Sequence, residues 1–331
     1  MTERDDRIDS IKGFLIILVI LGHIIGSCGE GETCENVWQI IYVFHMPLFI
    51  LISGYLSSIK NDNKSFWKSL TRIVVPLLIF QFLFVVIAVF VSESAISPSF
   101  LVTNLITPYW TLWYLLSLVF WRIMIQYTPK KLLEKPFLFL AIATIAAVFC
   151  GLMPYGRIMS IQRTFSFFPF FLFGYYIKQG VFKARLWSNY LSFGIVIAVI
   201  VLIVTKLQST IGYDSSRLML RGADHYTISD VPLKAFYLLL SFVVTFSVFN
   251  LIPENRLLSA LGKETMFYYL YHGLIIKFLL QPLVSYFKLP HSFLFMLIYL
   301  IGIFGFVFIM RRIKPFRWLI SPSFSNQLSD K

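Results

Sequence analysis

Three histidines, His23, His45 and His272, fall inside strongly apolar runs of this 331-residue chain, where a neutral imidazole can accept a proton or act as a nucleophile. Polar side chains are costly in hydrocarbon, so each marks either a reacting group or an interhelical hydrogen bond. His23 stands eleven residues after Lys12 in the first apolar run, with only apolar and glycine residues between. At 100° per residue those eleven steps make about three turns plus roughly 20°, so both side chains leave one helix face, about 16 Å apart along the axis. That face links a charged membrane surface to a buried imidazole. His45, in the second run, sits at a depth similar to that of His23 on an antiparallel neighbour, and the two form a candidate pair. The adjacent Ser53-Gly54 reads as a point of close helix approach. His272, after Tyr268-Tyr269-Leu270-Tyr271, reads either as a third site residue or as a tyrosine-bonded structural histidine. Trp110 and Trp113, within Pro108–Tyr114, suit an interfacial aromatic belt or a stacking platform for a sugar. Arg157 and Arg163 lie on the side that is otherwise poor in cations, and Arg163 opens a later run. It implies an anionic or hydroxyl partner, or a guanidinium snorkelling to headgroups.

These residues must be positioned by membrane helices. Hydrophobic residues make up 58 % of the chain and charged residues 14 %, with a mean hydropathy of +0.77. This identifies an all-α, polytopic integral membrane protein: one membrane domain over residues 1–331 with no separate soluble domain. Runs long enough to span occur at 11–28, 37–58, 70–92, 105–126, 136–153, 162–180, 188–207, 233–252, 264–286 and 291–313. With ten spans and a cytoplasmic N-terminus, 21 of the 29 lysines and arginines fall on the cytoplasmic side, so both termini are predicted there. The net charge of +13 is therefore a topology signal, and it does not point to nucleic acid. The connection at 28–36 has three glutamates and no cation, as an outer loop should, which puts Lys12 at the inner mouth and His23 toward the outer leaflet. A basic start followed by an apolar run also resembles a signal peptide, but cleavage near Cys28 would discard the Lys12–His23 helix, so the first run is read as an uncleaved span. Cys28, Cys34 and Cys150 have no metal-site spacing; Cys28 and Cys34 can be a small outer-face disulfide or two free thiols. His291, beside Pro290, reads as interfacial. The long outer connection at 207–232, with Asp214, Arg217, Arg221, Asp224, His225 and Asp230, reads as a solvated loop or as a lid over an acceptor.

The pattern Ile8-Asp9-x-x-Lys12-Gly13 with Gly22-His23, followed by Phe44-His45-Met46-Pro47-Leu48-Phe49 and Ser53-Gly54-Tyr55, resembles acyltransferase family 3, within it the fucose 4-O-acetylase-like branch. Weaker echoes are Trp113-Tyr114, Arg163 with Pro169-Phe170-Phe171, and Tyr271-His272, so the resemblance covers nearly the whole chain. Many members carry arginine where this chain has Lys12, which makes Lys12 a point charge in place of a bidentate fork. The resemblance implies a bacterial cell-membrane enzyme that moves an acetyl group from cytoplasmic acetyl-CoA, without a metal, to a hydroxyl of an extracytoplasmic or lipid-linked glycan. It implies Lys12, with Arg7 or Arg72, as cations for the CoA phosphates, and His23 as base or nucleophile at the thioester. His45 would then orient His23 or donate to the oxyanion, and Arg163 would hold the acceptor or stabilise negative charge. Trp110, Trp113, Tyr271 and His272 are the candidate acceptor contacts. A polysaccharide or small-molecule exporter is the competing class, since buried histidine and arginine also line transport paths.

Overall fold

The computed structural model describes residues 5–91, 107–153, 158–183, 187–205 and 226–320. Arg157 and, in the long connection, Asp214, Arg217, Arg221, Asp224 and His225 lie outside them. The described residues form helices, with no strand among them. All ten predicted apolar runs are largely helical over their described residues, but among the described residues only five helical stretches are both long and apolar enough to cross a membrane: Asp6–Cys28, Glu32–Tyr55 taken across its internal break, Asn63–Val91, Ile228–Leu251 with its leading turn, and Phe293–Met310. The remainder are shorter, less apolar or interrupted.

Helix α1, Asp6–Cys28, is the central element. Asp5 caps it, accepting from the Arg7 and Ile8 amides at 3.0 and 3.1 Å, and Asp6 and Asp9 complement the positive end of its dipole. More than half of its length is buried, on several faces, because other helices surround it. The second run is two helices rather than one, α2 (Glu32–Tyr42) and α3 (His45–Tyr55), separated at Val43-Phe44. Pro47 explains the break: it has no amide to donate to the Val43 carbonyl four residues back, and its ring crowds that carbonyl. His45 thereby becomes the first residue of α3.

Helix α4 spans Asn63–Val91, and a tight turn at Trp110–Leu112 leads into α5, Trp113–Tyr127. Next come α6 (Pro136–Phe149), α7 (Ile161–Lys178), α8 (Asn189–Val204) and α9 (Val231–Leu251). The short α10 (Arg256–Lys263) precedes α11 (Thr265–Ile275), which widens into a π-turn at Ile276–Leu280 before α12 (Gln281–Tyr286). Pro282 accounts for that widening, since it cannot donate to Phe278. Helices α13 (Phe293–Met310) and α14 (Lys314–Ile320) complete the described chain.

Two glycine pairs bring backbones into contact. A Cβ on Gly13 of α1 would fall on the Leu258 carbonyl, and one on Gly262 of α10 on the Asp9 carbonyl. The same reciprocity joins Gly54 of α3 to Phe171 and Gly174 of α7 to Leu51. Backbone cannot swing aside as a flexible side chain can, so Gly54→Ala should cost about 1–3 kcal/mol by overpacking, seen as a lower melting temperature of the detergent-purified protein. Gly302→Ala, where a Cβ meets open space, should leave the melting temperature unchanged. Side chains tie α1 to α10 as well: Asn255 caps α10, its amide donates to Ser10 Oγ at 2.9 Å, and Ser259 and Lys263 both reach Asp6 Oδ1, at 2.7 and 2.8 Å.

Candidate active site

A cleft of about 320 Å³ opens between α1, α3, α4, α5, α10 and α11. At one end stand Lys12, Lys263 and Arg122; further in are Ser53, Tyr114 and Tyr269. The glycine contact between α1 and α10 builds this mouth, since it lets Gly262 and Lys263 lie against the Lys12 turn. Lys12 Nζ pairs with Asp9 Oδ1 at 2.8 Å, and Lys263 pairs with Asp6. Arg122 differs. Its guanidinium reaches Ser69 of α4, Oγ at 3.0 Å and the carbonyl at 3.4 Å, and it has no carboxylate partner among the described residues. Sequence reasoning counted Arg122 only as a topology charge, whereas here it is the cation of the cleft least neutralised by protein.

The inner end of the cleft is polar. Ser53 Oγ lies 2.6 Å from the Tyr114 hydroxyl and donates to the Phe49 carbonyl at 2.8 Å, so Ser53 faces the cleft while its neighbour Gly54 makes the helix contact. Tyr269 packs edgewise on Tyr114, with ring centroids 5.4 Å apart, and donates its hydroxyl to the Thr111 carbonyl. One turn further along α11 the His272 ring lies 5.9 Å from that of Tyr269, and the His23 ring lies 5.4 Å from that of His272. The line of side chains thus runs from Lys12, Arg122 and Lys263 through Tyr269 to His272 and His23.

His23 is only partly buried, and its ring also meets Trp110 at 5.0 Å and Tyr42 at 6.5 Å. His45 and Arg163 are its further electrostatic neighbours. His45 is anchored across the helix break, where its Nδ1 donates to the Ile41 carbonyl at 2.8 Å; a carbonyl only accepts, so Nε2 carries the lone pair. Trp110 has φ 38°, a left-handed conformation that costs a bulky residue on the order of 1–3 kcal/mol. Gln81 of α4 holds the approach to it, accepting from the Tyr109 amide at 2.8 Å and donating to the Thr107 carbonyl at 3.2 Å. Arg163 stacks 5.1 Å above the Trp113 ring. The register of α5 on α7 is fixed by Trp121 Nε1 donating to the Thr164 carbonyl at 2.7 Å and by a Ser117–Thr164 hydroxyl contact at 2.8 Å.

The structure thus gathers His23, His45, His272, Arg163 and Trp110 in one region and places Trp113 beneath Arg163. It takes three sequence candidates elsewhere. Arg7 donates to the Phe249 carbonyl at 2.9 Å and stacks on the Phe249 ring, Arg72 is exposed, and neither lines the cleft. Tyr271 donates to the Phe316 carbonyl at 2.8 Å and packs on Phe80 and Phe267, on another face of α11 from Tyr269. Cys28 and Cys34 are buried free thiols. Among the described residues no group of three or more histidine, cysteine or acidic side chains is arranged to hold a metal ion.

A bundle of apolar helices around a cation-lined cleft, with imidazoles packed behind its inner wall at Tyr269, is an arrangement suited to acyl transfer. Residues 5–312 match the family described as the acyltransferase domain, and the chain belongs to this family, acyltransferase family 3. It is also similar to two curated proteins. Nodulation protein NolL of Sinorhizobium fredii is 32 % identical over 193 residues, covering 54 % of this chain and 50 % of that protein. Nodulation protein NolL of Mesorhizobium japonicum is 34 % identical over 122 residues, covering 33 % of each. The chain therefore spans about half of the first relative's length and a third of the second's. No solved structure matches it.

Proposed function

We propose that this protein is a multi-pass O-acetyltransferase of a bacterial cell membrane, taking acetyl from cytoplasmic acetyl-CoA to a hydroxyl of an extracytoplasmic or lipid-linked glycan. The observation that carries the reading is the cleft itself, with cations at one end and imidazoles beyond the other. The ten-span topology with both termini inside puts the cations at the cytoplasmic surface, where CoA is available. The CoA phosphates sit at Arg122, Lys12 and Lys263. The pantetheine arm, flexible and mostly uncharged, follows the cleft past Ser53, Tyr114 and Tyr269, and its thioester arrives at His23. The cleft volume is at the lower end of the roughly 300–1,000 Å³ typical of small-ligand sites, which suits a narrow arm.

At the thioester, the bare nitrogen of His23 takes the proton of the acceptor hydroxyl as its oxygen attacks the acyl carbon. The tetrahedral oxyanion then collapses, the carbon–sulfur bond breaks, and the imidazolium returns the proton to the CoA thiolate. A two-stage route, with acetyl first on His23 and then on the acceptor, uses the same atoms. Arg163 is the cation placed to stabilise developing negative charge. Trp110 and Trp113 offer aromatic faces to a sugar; fucose, another hexose and an N-acetylated sugar all fit that chemistry.

Inside-out membrane vesicles bearing the protein should incorporate label from [acetyl-14C]acetyl-CoA into their glycan fraction, and vesicles lacking it should not. Label that crosses only when attached to preformed glycan, with no new covalent acetyl group, would instead mark an exporter.

A further inference from the structure

We propose that His272 is the positioning residue of His23: its Nε2 lone pair receives the proton-bearing nitrogen of the His23 ring, leaving the other His23 nitrogen bare toward the reacting atoms. The proposal rests on the reading of His23 as the reacting group. It gives His272 a role that sequence patterns left between acceptor contact and structural histidine.

His272 is completely buried on α11, and its Nδ1 lies 3.0 Å from the Tyr268 carbonyl oxygen. A carbonyl oxygen cannot donate, so the ring proton is on Nδ1, and in neutral imidazole this leaves Nε2 as an acceptor. Among the described residues that Nε2 has no hydrogen-bond partner, although an unpaired buried acceptor is normally costly. Tyr269, the nearest hydroxyl-bearing ring on the same helix, cannot supply the proton because its hydroxyl is already given to Thr111. His45 cannot either, since its own ring proton is committed to Ile41.

His23 remains. Its ring centroid is 5.4 Å from that of His272, with the planes inclined by 34°. Each ring nitrogen lies about 1.1 Å from its centroid, so the rings are close enough for one nitrogen of each to come within roughly 3.2 Å when turned toward the other; the structure has no hydrogen bond between them, so the proposed bond forms on rotation of the His23 ring. Catalytic hydrogen bonds are commonly this loose before substrate binds and tighten afterwards. A buried neutral imidazole tied to backbone and hydrogen-bonded to a second, more accessible imidazole would fix that second ring's tautomer and orientation. It does so without adding a charge to the hydrocarbon. Arg163 already supplies the positive charge of the region, so a neutral orienter suits this site better than a carboxylate that would pair with the guanidinium.

The test compares His272→Gln, whose Oε1 takes the place of Nε2 and keeps an acceptor there, with His272→Met, of similar length but with no comparable acceptor. Full-length protein in detergent is assayed for CoA release from acetyl-CoA, and in vesicles for acetyl transfer. His272→Met should lower kcat about tenfold with KM for acetyl-CoA unchanged, whereas His272→Gln should keep most of the wild-type kcat. Equal losses in the two variants, through folding or turnover, would overturn the proposal, as would wild-type kcat in His272→Met. A change confined to KM would make His272 a binding residue and overturn it too. If wild-type protein moves no acetyl group at all, it is the acyltransferase reading that fails.

Discussion

Replacing His23 by alanine is expected to lower acetyl transfer by on the order of 10²- to 10⁴-fold, the usual worth of a positioned acid–base group. The fold should survive the change. Alanine is a good helix former, and the packing of α1 rests on Ile11, Leu15, Ile16, Ile20 and Ile24, all fully buried, and on the glycine contact with α10. His23 itself is only partly buried against Trp110, His272 and Tyr42. Donor affinity should survive too, because the phosphate anchors lie about three helical turns away. Initial-rate kinetics in vesicles should therefore show a collapse of kcat with KM for acetyl-CoA nearly unchanged. Wild-type kcat in a well-expressed His23→Ala protein would remove the imidazole from the chemistry.

The second large effect belongs to Arg122. Its guanidinium is held by serine and not by a carboxylate among the described residues, so most of its charge remains available to an anion in the cleft. A charge-assisted hydrogen bond is worth about 1.5–3 kcal/mol, which converts to roughly a tenfold to hundredfold rise in KM for acetyl-CoA in Arg122→Ala, with kcat largely kept. Lys12→Ala should also raise that KM more than the acceptor's, but for a mixed reason. It removes a cation and leaves the Asp9 carboxylate, 2.8 Å from the lost ammonium, to repel phosphate. Adding Asp9→Asn to Lys12→Ala should recover part of the loss. Higher salt should weaken donor binding by the wild type more than by Arg122→Ala. An unchanged KM in both Arg122→Ala and Lys12→Ala would move the donor to another entrance.

Much of the candidate site was legible in the sequence because one helix carries both Lys12, at the cleft, and His23. Lys12 and His23 share a face by helical periodicity alone, and the cost of polar groups in hydrocarbon singled out His23, His45 and His272. What periodicity does not supply is the facing helix. Arg122, Ser53, Tyr114 and Tyr269 enter the cleft from three different elements, and nothing local distinguishes them from ordinary interfacial residues. Tyr271 and Tyr269 illustrate the limit. They are two residues apart, so they leave α11 about 200° from each other, and only Tyr269, three residues before His272, stacks along the histidine face. Ser53-Gly54 divides similarly: the glycine makes the helix contact expected of the pair, and the serine turns to the cleft. The break before His45 was latent in Pro47 two residues on, but hydropathy averages over it and reads one span.

The most direct test of acetyl transfer through His23 is mass spectrometry of surface glycans from cells carrying the wild-type protein, cells lacking it, and cells carrying His23→Ala. The account predicts glycans heavier by one acetyl group at the modified position in wild-type cells and the unshifted mass in both others. Full acetylation in the His23→Ala cells, or identical masses in all three with different amounts reaching the surface, would contradict it.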